Sequence, residues 1–264
     1  MDTINYTDLF LMQGISILPE DQSILNHWFE AQHVLDGFGV PRLLSFDEAM
    51  NYEGFIQDIL PDFPSGESVI LWDTEGKSAV VGYYYSGPLK GTVYTLHGPT
   101  DISPKFLSLA RFYSYYKRIL REYTDDGVPD YDTKFWSDID FNDNQPMTEE
   151  ETERFHEAAN ELMNVWKPEN RQKEWYENLC YCILAILPDC FADELTPYIQ
   201  TNESKYVLEA LCHKLIKAKC IEAIPSMEKL ARAEEEGLRI GGWSDSHIAR
   251  KTYQYLLQNN FVTP

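Results

Sequence analysis

The chain has 264 residues, with 43 acidic against 22 basic side chains and a formal net charge of −21. Hydrophobic residues make up 44% of it and aromatics 14%, enough to bury a core in one large domain or two small ones, which excludes a disordered tail. The charge opposes binding to nucleic acid or to an anionic membrane and speeds encounter with basic partners, while solubility alone is the plainer reading of the same number.

No apolar run approaches the roughly 18 residues that span a bilayer. The opening residues MDTINYTDLFLMQGISILPEDQ carry no basic segment ahead of their apolar patch, so a secretory signal is not expected. Five cysteines, Cys180, Cys182, Cys190, Cys212 and Cys220, lie inside helical apolar patterns and read as free thiols of a reducing cytoplasm. The Cys180-Tyr181-Cys182 spacing is wrong for a zinc pair.

Taken in chain order, Ile24, Leu25, Trp28, Phe29 and Leu35 predict an amphipathic helix over 20–35, after Pro19. Ser45 with Glu48 forms a capping box that opens a helix carrying Ala49, Met50, Ile56, Ile59 and Leu60. Three short runs, 67–73, 78–86 and 92–97, are joined by glycine-containing turns and predict an antiparallel meander. In its middle strand Tyr83 and Tyr85 share one face and Tyr84 takes the other. Sheet packing explains such tyrosines, and a binding face is the rival reading. Ser103-Pro104 reads as the cap and first position of a helix through KFLSLARFYSYYKRILREY.

From Glu122 to Glu161 there are fourteen acidic residues against two basic ones, Lys134 and Arg154. Its front half is loop-like, with Tyr131, Phe135, Trp136 and Phe141 among aspartates. Thr148 and Glu151 form a second capping box, after which helical periodicity dominates to the end. The layout expected is therefore an α+β domain with a small antiparallel sheet over 1–125, an acidic linker over 126–147, and an all-α domain over 148–264, either a bundle or a HEAT-like array.

Within the linker, Asp138, Asp140, Asn142 and Asn144 followed by Glu149 match the ligand spacing of an EF-hand loop. Asp143 stands where that loop's sharp turn requires glycine, so the stretch reads as an Asp/Asn-rich linker ending in a helix cap, and no metal is assigned. His27, His33, His97, His156, His213 and His247 are scattered outside any HExxH-type pair. Nucleophile elbow, phosphate loop and dinucleotide fingerprint are all missing from the sequence. No residue pattern names an enzyme or a cofactor.

The hydrophobic strand with Trp72, then GTVYTLHGP, then SPKFLSLARFYSYYKRIL, is a succession that resembles the SMI1/KNR4 (SUKH) superfamily over about positions 15–125. The later stretch YVLEALCHKLIKAKCIEAIPSMEKLA resembles a HEAT-like helical repeat. The first resemblance implies a cytoplasmic bacterial immunity or antitoxin-like protein that neutralises a basic toxin, possibly a nuclease, through protein–protein binding. On that reading Asp125, Asp126, Asp130, Asp132, Asp138 and Asp140 would engage the partner's cations, backed by Tyr131, Trp136 and Phe141. Two other readings stand beside it: a helical-repeat scaffold or adaptor whose acidity serves solubility, and a hydrolase whose site the sequence does not display.

Overall fold

The computed structural model describes residues 5–31, 41–52, 55–74, 77–97, 101–124, 145–201, 204–238, 240 and 247–260. The chain divides into two compact units, Met1–Pro146 and Met147–Pro264. The first is α+β and the second, among the described residues, is helical.

The first unit opens with two helices, α1 (Tyr6–Met12) and α2 (Pro19–Ala31). Pro19 occupies the first turn of α2, where its missing N–H costs nothing. A five-stranded antiparallel sheet follows, with β1 (Pro41–Leu43), β2 (Ser68–Thr74), β3 (Lys77–Tyr84), β4 (Val93–His97) and β5 (Pro104–Phe106) as spatial neighbours in sequence order. Between β1 and β2 lie the short helices α3 (Phe46–Met50) and α4 (Phe55–Ile59), and α5 (Leu109–Thr124) follows the sheet.

The expected meander is present as β2–β3–β4, extended by one short strand on each edge. Its register slips between Ile70 and Trp72, where one extra residue enters β2. The shift sets Trp72 opposite Val81, and Val69, Ile70, Leu71 and Trp72 are all buried, as Val81 to Tyr84 are in β3, because both faces of the sheet are covered there. Trp28 from α2 packs against Trp72 of the sheet, 5.1 Å between ring centroids, and against Phe112 and Tyr116 of α5 at 5.6 and 4.5 Å. Tyr83 points into this same core, where its hydroxyl donates to the buried Asp21 carboxylate at 2.8 Å.

On the other face, the Tyr94 ring lies over Gly82, its cross-strand partner. The Tyr94 hydroxyl is 3.0 Å from Ser68 Oγ, and Tyr84 donates to the Ile102 carbonyl at 2.9 Å. Tyr83, Tyr84 and Tyr94 are fully buried, so these tyrosines serve sheet packing rather than an exposed binding face.

Two expectations are corrected. Ser103-Pro104 does not start a helix: Asp101 Oδ1 accepts from both Ser103 N and Ser103 Oγ, at 3.0 and 2.6 Å, and Pro104 begins an edge strand, a position where a missing N–H does no harm. The helix starts at Leu109, where Ser108 Oγ accepts from Arg111 N at 3.3 Å. The Ser45 capping box forms, but α3 ends at Met50 and Ile56 sits on a separate helix. The α2 helix is described from Pro19 to Ala31, and Leu35 lies outside the described residues.

In the second unit, α6 (Glu149–Val165) leads through a 3-10 turn at 168–170 to α7 (Tyr176–Ile186), then a 3-10 segment (Asp189–Leu195), α8 (Thr196–Thr201), α9 (Lys205–Ala218), a 3-10 turn at 221–223, α10 (Ile224–Glu235) and α11 (Ile248–Asn260). Helix α9 packs between α7 and α11, while α8 packs on α10, and Tyr198 of α8 stacks on Trp166 at the end of α6 at 4.6 Å. Lys214 ties α9 to the end of α7, its ammonium donating to the Leu187 carbonyl at 2.5 Å and pairing with Asp189 at 2.8 Å. Burial pushes the Lys214 ammonium below its ordinary range, against the pull of Asp189.

Two predictions follow from the first unit. A β-carbon at Gly82 would come within 2.0 Å of the Tyr94 ring, so Gly82→Ala is expected to cost ~1–3 kcal/mol in urea unfolding, the range for overpacking a filled core. Arg42 grips Glu48 through two contacts of 3.0 Å and reaches Asp73 at 3.4 Å. With Ser45 donating as well, this holds the Glu48 carboxyl at about 2, well below 4.5. A depressed carboxyl contributes stability above its unfolded value and loses it as pH falls through the folded one. Glu48→Gln keeps the capping box and should lower stability at neutral pH by about 1 kcal/mol or less, because the pair is part-exposed. The gap to the parent should close between pH 4.5 and 2, read by thermal unfolding across that range.

Candidate functional site

Helix α6 begins where local sequence dictates: Thr148 Oγ1 accepts from Glu151 N at 3.1 Å, and Glu151 Oε2 accepts from Thr148 N at 2.9 Å. Phe155, Ala158, Ala159, Leu162 and Met163 form its buried stripe. Glu149, Glu153, Glu157 and Glu161 recur at every fourth residue and are all exposed. At about 100° per residue this row centres opposite the buried stripe, so it faces away from the unit's core. It runs about 18 Å along the helix, with successive carboxylates one turn apart.

This row is electrostatically unusual. Like charges at i,i+4 destabilise a helix by roughly 0.2–0.5 kcal/mol per pair, and among the described residues no ion pair neutralises any of the four. Packing on the opposite face holds the helix together despite that repulsion. Beside the row, His156 Nε2 lies 2.8 Å from Glu194 Oε1 and 3.0 Å from Asn160 Nδ2, and its ring stacks on Phe191 at 3.6 Å. These contacts fasten α6 to the 189–195 segment and keep its outer face in a fixed orientation.

The arrangement suits an extended cationic surface better than a single ion. Among the described residues no group of three or more His, Cys, Asp or Glu side chains could hold a metal. Nor are the described buried thiols poised for attack: burial pushes Cys180 well up, Cys212 to about 12 and Cys220 to about 11, which keeps them protonated and poorly nucleophilic. Cys190 alone of the five is exposed.

Asp125, Asp126, Asp130, Tyr131, Asp132, Trp136, Asp138, Asp140 and Phe141 lie outside the described residues, as do Asn142, Asp143 and Asn144 of the EF-hand-like stretch. The carboxylates at Glu153, Glu157 and Glu161 belong to the acidic run of the sequence but were not singled out there. The signal that reveals them is their recurrence every fourth residue behind the Thr148 cap. The imbalance is uneven along the chain: 23 acidic against 9 basic residues in 1–146 and 20 against 13 in 147–264, or −14 and −7.

Comparison of the chain with protein-family models, with curated proteins and with solved structures finds no match. No helix among the described residues is long and apolar enough to cross a membrane.

The row makes a stability prediction of its own. Replacing Glu153, Glu157 and Glu161 together by glutamine removes three like-charge pairs while leaving the first-turn glutamates, which the helix dipole favours. Unfolding free energy should rise by ~0.6–1.5 kcal/mol at low salt, and the gain should shrink in 1 M NaCl, where the Debye length is about 3 Å.

Proposed function

We propose that the chain is an immunity- or antitoxin-type protein that neutralises a basic protein toxin, of the nuclease class, by placing a carboxylate surface in its cationic cleft. The observation that carries this reading is the unneutralised glutamate row on the outer face of α6. A solvated helix kept only for solubility gains from mixing its charges, whereas in α6 Arg154 is the sole lysine or arginine and the Glu149–Glu161 row repeats one sign every fourth residue. A nuclease cleft is lined with cations for its phosphate substrate, and an acidic surface that fills it gains both speed of association and selectivity from complementary potential. The inhibitor needs no catalytic group, cofactor or metal for that role. The resemblance of 15–125 to the SUKH superfamily supports the same reading.

The second reading, a helical-repeat scaffold or adaptor, is favoured by one observation in the second unit: α7, α9 and α11 pack side by side in order, while α8 packs on α10. Alternating helices sorted into two rows are what stacked helix pairs produce.

The probe is a basic toxin encoded directly upstream of this chain, the gene order the reading requires. With that toxin purified, Glu153→Gln/Glu157→Gln/Glu161→Gln should slow association at low salt by about tenfold or more and flatten its salt dependence. A parallel variant, Asp125→Asn/Asp126→Asn/Asp130→Asn/Asp132→Asn, tests the linker aspartates separately. Toxin binding indifferent to both sets, at every salt concentration, overturns the carboxylate surface and leaves the scaffold reading.

A further inference from the structure

We infer that the α1–α2 pair of the first unit is a second docking surface, an apolar anchor between acidic flanks, and that it takes an apolar side chain set among lysines and arginines on a protein partner. The inference rests on the proposed reading only for the partner's basic character.

Five large hydrophobic side chains are exposed among the described residues, and three of them, Leu11 at 62%, Met12 at 68% and Phe29 at 40%, belong to this one helix pair. The other two, Tyr206 and Leu238, belong to the second unit. Single exposed apolar residues are ordinary, but a grouping is not. The grouping is also geometric. Asn26 of α2 accepts from Thr7 N at 3.1 Å and donates to Thr7 Oγ1 at 3.1 Å, which pins the two helices together. Leu11 lies one turn beyond Thr7 on α1, and Phe29 lies one turn beyond Asn26 on α2, so both flank that bond along the seam. Tyr6 stacks on Phe29 at 4.7 Å, which makes the helices antiparallel there, and places Leu11 and Phe29 about 10 Å apart along the pair.

The helix pair itself carries charge of one sign. Residues 5–31 contain Asp8, Glu20, Asp21 and Glu30 and no lysine or arginine at all. Asp8 stands one turn before Leu11 and Met12 on α1, and Glu30 follows Phe29 on α2. Asp21 is buried under Tyr83 and belongs to the core. Apolar side chains flanked by carboxylates have the anatomy of an interface hot spot, in which the apolar part supplies affinity and the charges beside it select the partner. A second copy of the same chain is the wrong occupant, because it would bring Asp8 and Glu30 against their own copies. A lone oligocation is also wrong, because it leaves the apolar centre uncovered.

The test uses the full chain and two defined probes, an 18-residue leucine–lysine amphipathic peptide and an oligolysine of equal charge. Leu11 and Met12 are exposed, so Leu11→Ser/Met12→Ser should unfold like the parent by circular dichroism. It should bind the leucine–lysine peptide about tenfold more weakly, with oligolysine binding unchanged and with Tyr206→Ser/Leu238→Ser binding both probes like the parent. Equal loss of both probes, or no loss of either, overturns the inference. So does a concentration-dependent dimer in sedimentation that Leu11→Ser/Met12→Ser dissolves, which would assign the face to a second copy. The α6 triple variant should lose affinity for both probes together if the glutamate row acts on charge alone, so failure there counts against the proposed function and not against this surface.

Discussion

Trp28 is where the first unit is joined. One indole touches β2 through Trp72, α5 through Phe112 and Tyr116, and its own helix α2 carries it there. Aromatic rings bury large areas at little entropic cost and prefer the tilted and edge-on arrangements seen in this cluster. Everything else in the unit is arranged around it: the bulge in β2 brings Trp72 inward, and Tyr83 reaches past the cluster to the buried Asp21. Asp21 lies in the first turn of α2, so the same phenol that fills the core also sets where the helix begins.

That rigid core frees the surface to be one-sided in charge. A chain carrying −21 must keep its carboxylates solvated or paired. The described ion pairs are few and mostly local, such as Arg42 with Glu48 and Asp73, or Lys214 with Asp189. In α6 the two demands are separated by face, with Phe155 and Leu162 held in the core and four glutamates held away from it. The repulsion along the row is small beside the burial on the other side, which is how a helix can sustain a surface that opposes its own formation.

How far the site could be read in advance depended on the range of the interaction concerned. The acidic run was plain from composition, and the Thr148 cap located the start of α6 to the residue. The candidate carboxylates chosen from composition were the aspartates of 125–140, because they stand next to aromatics; they lie outside the described residues. In the sequence the glutamates of α6 are an ordinary helical run until the buried face is known. Leu11 and Met12 carry no local signal either, since exposure is a property of what does or does not pack against a residue and no local pattern encodes it.

By itself the sequence determined the order α+β then helical, the two capping boxes and the β2–β3–β4 meander. The caps join residues three positions apart and the meander pairs strands adjacent in sequence, so both are written in local pattern and turn residues. Only the tertiary structure decided that Pro104 enters a strand, that the bulge sits at Leu71, that Tyr94 covers Gly82 and that the α6 glutamates point away from the core. Each of those depends on a partner brought from elsewhere in the chain, and a strand edge, a bulge or an outward face has no meaning until that partner is in place.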